Sequence, residues 1–289
     1  MVLNIILSVI LLVLIVLASG VVVDVLERFV FSLPIKKNKI VPVLVSMSLA
    51  IPELFVGIAA ALDGKAQIAL GNAVGANMTN LSLIIGGLAV VSLSVPVVGA
   101  YLQKDLWVTV GLALMPFFLL FDGVISSFDG GVLLGLYIVY AFFLSSEKVT
   151  AKMSHKKINT YERWGLSIMM ILALVILAVC SWQLIQLVGR IGASWGVSWF
   201  WMGLVLMAIG TTLPELLLLV FSRGRRKVSL VLPDLLSSVV VNSTLVLGVV
   251  ALISPIFLRE SIQRGLSGIF LVAILGVIVT GKQIGRAHV

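Results

Sequence analysis

The sequence is poor in charge, cysteine and histidine. Only 11% of its 289 residues are charged, whereas 61% are hydrophobic. Soluble globular domains use roughly half apolar and a quarter charged residues, so this composition excludes a water-soluble fold. The single Cys180 cannot form an intramolecular disulfide, and His155 lies in a basic loop. Neither supports a metal cluster or a nucleophile with its base, and we interpret both as structural.

What the chain does contain is long apolar runs. A helix that crosses a bilayer needs about 20 apolar residues, and nine such stretches follow one another with short polar joints. The first has no basic segment before it and is too long for a cleaved leader, so we interpret it as a retained helix. The pattern predicts an all-α polytopic membrane protein. The approximate spans are 2–27, 40–62, 66–93, 105–121, 130–146, 163–188, 197–222, 228–253 and 262–280.

The net charge of +8 would suggest nucleic acid for a soluble protein, but here it follows membrane topology. With the N-terminus outside, fourteen basic residues fall in cytoplasmic joints and four in outer joints, as the positive-inside rule requires. No nucleic-acid partner is needed to explain the charge. We therefore expect an integral protein of a prokaryotic plasma (inner) membrane, with the lipid bilayer and inorganic cations as partners. The sequence leaves the oligomeric state open.

An internal repeat is the strongest feature of the sequence. Ala50-Ile-Pro-Glu53 recurs as Thr212-Leu-Pro-Glu215, 162 residues later. The same offset, without gaps, pairs Asn72 with Asp234, Ala76 with Ser238 and Asn80 with Asn242. Five spans separate the second helix from the seventh, so the two copies should run in opposite directions, as in many secondary transporters. A proline has no N–H to donate to the preceding turn, so we predict that these two helices are interrupted near Pro52 and Pro214 and that Glu53 and Glu215 converge.

The repeat divides the chain into two membrane halves. We place the first half at 1–147 with helices 1–5, a basic cytoplasmic linker at 148–162, and the second half at 163–282 with helices 6–9. Residues 283–289 resemble the translation of a sequencing adapter, and we interpret them as a non-native tail. On this interpretation about nine of ten helices are present.

The repeated residues have the chemistry of a cation site. An ionised carboxylate inside a membrane costs at least several kcal/mol, so Glu53 and Glu215 mark a functional position. Two such groups facing one another must share either protons or a cation. Ca²⁺ favours six to eight oxygens from carboxylates and carbonyls. The predicted cation ligands are Glu53, Glu215, Asn80, Asn242, Ser238, Thr211 and Thr212.

The segments Gly210-Thr-Thr-Leu-Pro-Glu215 and Gly71-Asn-Ala-Val-Gly-Ala-Asn-Met-Thr-Asn80 resemble the two repeat motifs of the sodium/calcium exchanger family, within the cation/Ca²⁺ antiporter superfamily. The resemblance implies ten helices in two inverted five-helix halves around a central cation site. It also implies alternating access, in which a helix 1 and helix 6 pair slides across the core. No catalytic residue or tightly bound cofactor is expected, only a transported Ca²⁺ and its counter-ion.

The chain departs from the family motifs in the first repeat. Leu49 and Ala50 replace a Thr-Ser pair and Ala76 replaces Ser, so three hydroxyl groups are absent. Asn242 stands where Na⁺/Ca²⁺ exchangers often have Asp. Coupling to H⁺ and coupling to Na⁺ both remain open. A passive cation channel and a degenerate, non-transporting paralogue are the alternative hypotheses, and no residue set supports an intramembrane hydrolase.

Four other polar residues are not assigned to the predicted cation site. Asn77, close to Asn80, is expected to hydrogen-bond a neighbouring helix. Asp122 and Asp129 each precede a glycine, a combination typical of turns. For Asp234 a role in the site and a hydrated position both stay open, because its repeat partner Asn72 is neutral and it lies near the inner membrane surface.

Overall fold

The computed structural model describes residues 2–32, 41–92, 99–146, 159–212 and 235–258. Nearly all of them are helical, which confirms the predicted fold class. The helices are α1 (Val2–Ser32), α2 (Val41–Leu49), α3 (Ile51–Leu62), α4 (Ala66–Ser92), α5 (Gly99–Leu119), α6 (Ser127–Ser146), α7 (Thr160–Trp195), α8 (Trp199–Thr212) and α9 (Leu235–Ile253). A 3₁₀ turn at Leu120–Asp122 and two short strands, β1 (Val124–Ile125) and β2 (Ile256–Phe257), complete the described elements.

Several helices are longer than their hydropathy predicted. α5 begins at Gly99 rather than near 105, and α7 continues to Trp195 rather than ending near 188. Polar residues such as Lys104 and Arg190 lie within these helical extensions, because backbone hydrogen bonding continues after the apolar run has ended. The proposed linker, the ninth span at 262–280 and the proposed tail lie outside the described residues, apart from residues 159–162 at the end of the linker.

The loops after α3, α5, α7 and α9 meet at one end of the molecule, which we call the strand end. β1 pairs antiparallel with β2 there, with Val124 opposite Phe257. Gln67 Nε2 donates to the Phe257 carbonyl at 3.1 Å, and Gln186 Nε2 donates to Asp63 Oδ1 at 2.6 Å. Because α3 runs toward the strand end and α8 starts from it, the two repeat copies are inverted, as predicted.

The helices differ in how much of their surface the protein covers. In the described residues four helices, α1, α6, α7 and α9, are long and apolar enough to cross a membrane. Of their apolar stretches, 72% is buried in α9 but only 17% in α6. α9 therefore lies in the centre, and α6 presents most of its apolar surface to the bilayer. Exposed Trp195, Trp199 and Trp201 near the strand end match an interfacial aromatic belt.

α4 and α8 cross at a contact that only glycine permits. A Cβ added at Gly71 would overlap the backbone carbonyl of Phe200, and one at Gly203 would overlap that of Ile68. Gly71 and Gly75 form a G-x-x-x-G motif, a spacing that lets membrane helices pack backbone to backbone. The close approach brings the first-repeat helix α4 against the second-repeat helix α8, next to the predicted ligands.

Candidate cation site

Glu53 lies in the first turn of α3, immediately after a break in the helix. α2 ends at Leu49 and Ala50 forms a turn with φ −100° and ψ 14°. Pro52 favours this break, because it has no N–H to donate to the preceding turn and its fixed φ suits a helix start. The predicted interruption near Pro52 is therefore confirmed. The helix N-terminus carries partial positive charge, which stabilises the Glu53 carboxylate even though the side chain is only 1% exposed.

Asn80 and Ser238 come together across the two repeats. Asn80 Nδ2, on α4, donates to Ser238 Oγ, on α9, in a long hydrogen bond of 3.4 Å. Asn242 lies one turn further along α9 and, like Asn80, is fully buried. All three residues are therefore buried where the two repeats meet, and their assignment as cation ligands stays a prediction.

The two predicted threonines are buried on α8 but use their hydroxyl groups differently. Thr211 Oγ1 donates to Asn72 Oδ1, on α4, at 3.2 Å. Thr212 Oγ1 donates within its own helix to the Ala208 carbonyl, at 2.7 Å. Each hydroxyl oxygen keeps lone pairs through which it could bind a cation.

Several buried amide atoms have no hydrogen-bond partner within the described ranges. Four of these atoms lie beside the predicted ligands, namely Asn77 Oδ1, Asn80 Oδ1 and both Oδ1 and Nδ2 of Asn242, and Gln67 Oε1 is another, near the strand end. An unsatisfied buried polar atom typically costs about 1–3 kcal/mol, so a group of them needs a physical reason. Three of the four atoms are carbonyl oxygens, a ligand type that Ca²⁺ accepts. The oxygens present therefore fit a hard cation as substrate.

Two helices of the second repeat, α8 and α9, each contain a π-helical turn. In α9 this turn covers Asn242–Val246, where the Leu247 N–H reaches back five residues to the Asn242 carbonyl. In α8 it covers Gly203–Met207, at the crossing with α4. π-helical turns are rare and occur frequently at functional sites, because the extra residue re-aims nearby side chains.

One predicted carboxylate is not described. Glu215 and Pro214 lie outside the described residues, so the convergence of Glu53 with Glu215 and the interruption of helix 7 stay predictions.

The expected hydrogen bond from Asn77 to a neighbouring helix is confirmed, since Asn77 Nδ2 donates to Ser243 Oγ on α9 at 2.7 Å. The turn interpretation is confirmed for Asp122, which accepts from the Val124 N–H. It is wrong for Asp129, which lies in the first turn of α6 and accepts from the Ser126 N–H at the start of that helix.

Sequence reasoning did not assign Asn72 or Ser243 to this region. Asn72 aligns with Asp234 in the repeat, but its bond to Thr211 depends on the close crossing of α4 with α8. Ser243 follows Asn242 directly, and that adjacency was the only available signal. Its repeat equivalent, Leu81, is apolar, so the internal comparison could not identify it.

The chain matches an exchanger family and is similar to two curated proteins. The family described as sodium/calcium exchanger protein matches residues 3–146 and 165–284. The putative antiporter CaxA of Alkalimonas amylolytica is 25% identical over 251 residues, which cover 84% of this chain and 78% of that protein. The inner membrane protein YrbG of Escherichia coli (strain K12) is 27% identical over 221 residues, 73% of this chain and 68% of that protein.

Solved structures share the fold. The H⁺/Ca²⁺ exchanger CAX gives a TM-score of 0.70 at 18% identity, covering 98% of this chain and 85% of that one. The sodium-calcium exchanger NCX_Mj, in crystals soaked with Na⁺ and Sr²⁺, gives a TM-score of 0.56 at 21% identity, covering 96% and 90%. The matched family covers both halves of the chain and agrees with the inverted helices seen here, so this protein belongs to the sodium/calcium exchanger family.

Proposed function

We propose that this protein is a secondary active antiporter that exchanges Ca²⁺, or a similar cation, for H⁺ or Na⁺ by alternating access. The observation that carries the proposal is the buried Glu53 carboxylate at the start of α3, in a core that also buries amide and hydroxyl oxygens from both repeats. The CaxA, CAX and NCX_Mj names support this assignment, because they describe an antiporter or exchangers.

The ligand set we propose consists of Glu53, Glu215, Asn80, Asn242, Ser238, Thr211 and Thr212. Two carboxylates balance the charge of one Ca²⁺, and the amide and hydroxyl oxygens replace part of its hydration shell. An empty pair of carboxylates must instead take up protons or other cations, because two bare charges repel one another in a low-dielectric interior. This requirement is what couples the release of one ion to the binding of another.

We propose the same membrane orientation that the basic residues indicated. The strand end faces outward, with the N-terminus on that side, and the membrane is the prokaryotic plasma membrane. Lys65 lies in a loop at the strand end, where it pairs with Asp63. Arg163 lies near the opposite end, in the first turns of α7. The proposed halves are 1–147 and 163–282, joined by a cytoplasmic linker.

An uptake assay in proteoliposomes tests the function. Vesicles are loaded with Na⁺, loaded with acid, or given no gradient, and ⁴⁵Ca²⁺ uptake is followed against a Ca²⁺ gradient. We expect uphill uptake that requires one of the two counter-ion gradients, and no uptake with Glu53→Gln. Downhill flux that ignores both gradients would identify a channel instead, and an absence of flux in every vesicle would identify a non-transporting protein.

A further inference from the structure

A second polar pair lies beside the proposed cation ligands, and the repeat does not account for it. Asn77 donates to Ser243 at 2.7 Å, and both residues are buried between α4 and α9. At the repeat offset their counterparts are Val239 and Leu81, which are apolar. The pair therefore has no equivalent in the other half, unlike Glu53 with Glu215 or Asn80 with Asn242.

The Asn77 amide is oriented like the Asn80 amide. Each side chain donates through Nδ2 to a serine of α9, and each leaves a buried Oδ1 without a partner among the described residues. Residues three apart on a helix have Cβ atoms about 5–6 Å apart on one face. Asn77 and Asn80 therefore lie on neighbouring positions of α4, and each buries a carbonyl oxygen in the interface with α9.

A purely structural role explains only half of the Asn77 side chain. The Nδ2 bond to Ser243 ties α4 to α9, but a serine or threonine could make that tie without burying a spare carbonyl oxygen. The oxygen becomes useful if a cation comes within reach. Because α4 begins at the strand end, Asn77 lies about one turn closer to that end than Asn80 does.

We propose that Asn77 Oδ1 is a further cation ligand, placed one helical turn from Asn80 on the strand-end side, and that Ser243 holds the amide in the orientation that presents this oxygen. The inference rests on the proposed function for the identity of the ion, a divalent cation such as Ca²⁺. Asn77 Oδ1 has no equivalent in the second repeat, and it adds an oxygen to the first repeat, where Ala76 has no side-chain oxygen.

The test compares Asn77→Ala, Asn77→Asp and Ser243→Ala in the full chain. Two readouts are taken: the Ca²⁺ concentration that half-saturates uptake, and the Ca²⁺-dependent rise in the thermal unfolding midpoint of the purified protein, which reports binding without transport. The midpoint in the absence of Ca²⁺ reports the loss of the tie between the helices, which Asn77→Ala and Ser243→Ala share.

We expect Asn77→Ala to raise the Ca²⁺ requirement about tenfold, as loss of one charge-assisted contact predicts. Asn77→Asp, which keeps an oxygen, should bind Ca²⁺ at least as tightly as the unmodified protein. Ser243→Ala should lower the ion-free midpoint as much as Asn77→Ala but raise the Ca²⁺ requirement only about twofold, because Oδ1 survives but is no longer held in place.

Equal Ca²⁺ requirements for Asn77→Ala and Ser243→Ala would show that Asn77 only ties the helices together, and would overturn the inference. Binding as poor in Asn77→Asp as in Asn77→Ala would also overturn it, as would no Ca²⁺-dependent midpoint shift in any variant. Failure of the proposed function is a separate result, since unmodified protein that binds Ca²⁺ but transports none would refute the antiporter while the binding series still decides the role of Asn77.

Discussion

The two repeats carry similar residues but contribute different chemistry to their shared interface. In three described hydrogen bonds across the repeats, the hydroxyl comes from the second repeat and the amide from the first: Thr211 with Asn72, Ser238 with Asn80, and Ser243 with Asn77. The bond equivalent to Asn80 with Ser238 would join Asn242 to residue 76. That residue is alanine, and Asn242 accordingly has no partner in the described part of the chain.

The backbones of the repeats differ as well. Ala50 forms a turn between α2 and α3, whereas its repeat equivalent, Thr212, is still helical. The π-helical turn at Asn242–Val246 corresponds to residues 80–84, which belong to the regular helix α4. Residues that match in sequence thus lie in different local geometry, and the internal symmetry should be tested position by position.

The largest effect is expected from the carboxylates, where the repeats are most alike. Glu53→Gln and Glu215→Gln should each abolish Ca²⁺ uptake, because one remaining charge is too little to replace the hydration of a divalent cation. The measurement is ⁴⁵Ca²⁺ uptake into proteoliposomes at equal protein content. Both variants should still insert in the membrane and elute as a single species.

Glu162→Gln is the matched control for these two variants. Glu162 is exposed at the start of α7, where it accepts from the Asn159 N–H in a capping box, and glutamine can fill the same role. Its uptake should equal that of the unmodified protein. Substantial uptake by either Glu53→Gln or Glu215→Gln would remove that residue from the site and break the functional equivalence of the repeats.

Sequence alone predicted most of the fold, because hydropathy and basic residues respond to the bilayer rather than to neighbouring helices. It also predicted the break near Pro52, which follows from the missing N–H of one residue. It could not predict the π-helical turns or the partners of Asn72 and Asn77, which depend on how closely α4 approaches α8 and α9. Contacts of this kind are set by tertiary packing around Gly71, Gly75 and Gly203.

The second-largest effect is expected at the crossing of α4 with α8, where the two repeats touch. Gly203→Ala should lower the thermal midpoint, because the added Cβ overlaps the Ile68 carbonyl and overpacking typically costs about 1–3 kcal/mol. The measurement is thermal unfolding in detergent. Gly111→Ala serves as the control, since a Cβ there meets no atom within 4 Å. Equal midpoints for the two variants would show that α4 and α8 tolerate a wider separation.

A smaller effect should distinguish Asn80 from its repeat equivalent, Asn242. Asn80→Ala removes a hydrogen bond to Ser238 and should cost about 1 kcal/mol of stability. Asn242→Ala removes an amide that has no partner among the described residues, so its stability should be unchanged or higher. Both should weaken Ca²⁺ binding, yet less than the glutamate variants do. Unfolding midpoints and Ca²⁺ titrations of both variants provide the comparison, and equal destabilisation would contradict it.

The smallest effect should come from restoring the symmetry at Ala76. Ala76→Ser places a hydroxyl where the repeat predicts a partner for Asn242, as Ser238 is for Asn80, and should raise stability by up to about 1 kcal/mol. It also adds an oxygen of the type that Na⁺ binding requires and the first repeat lacks. Unmodified protein should therefore respond to an imposed pH gradient and only weakly to Na⁺, whereas Ala76→Ser should respond more strongly to Na⁺. Ala73→Ser is the control. Ala73 is as buried as Ala76 and lies on the same helix, but the repeat predicts no asparagine as a partner for a hydroxyl at that position. Steep, saturable activation of the unmodified protein by Na⁺, without a pH response, would show that the missing hydroxyl groups do not set the counter-ion.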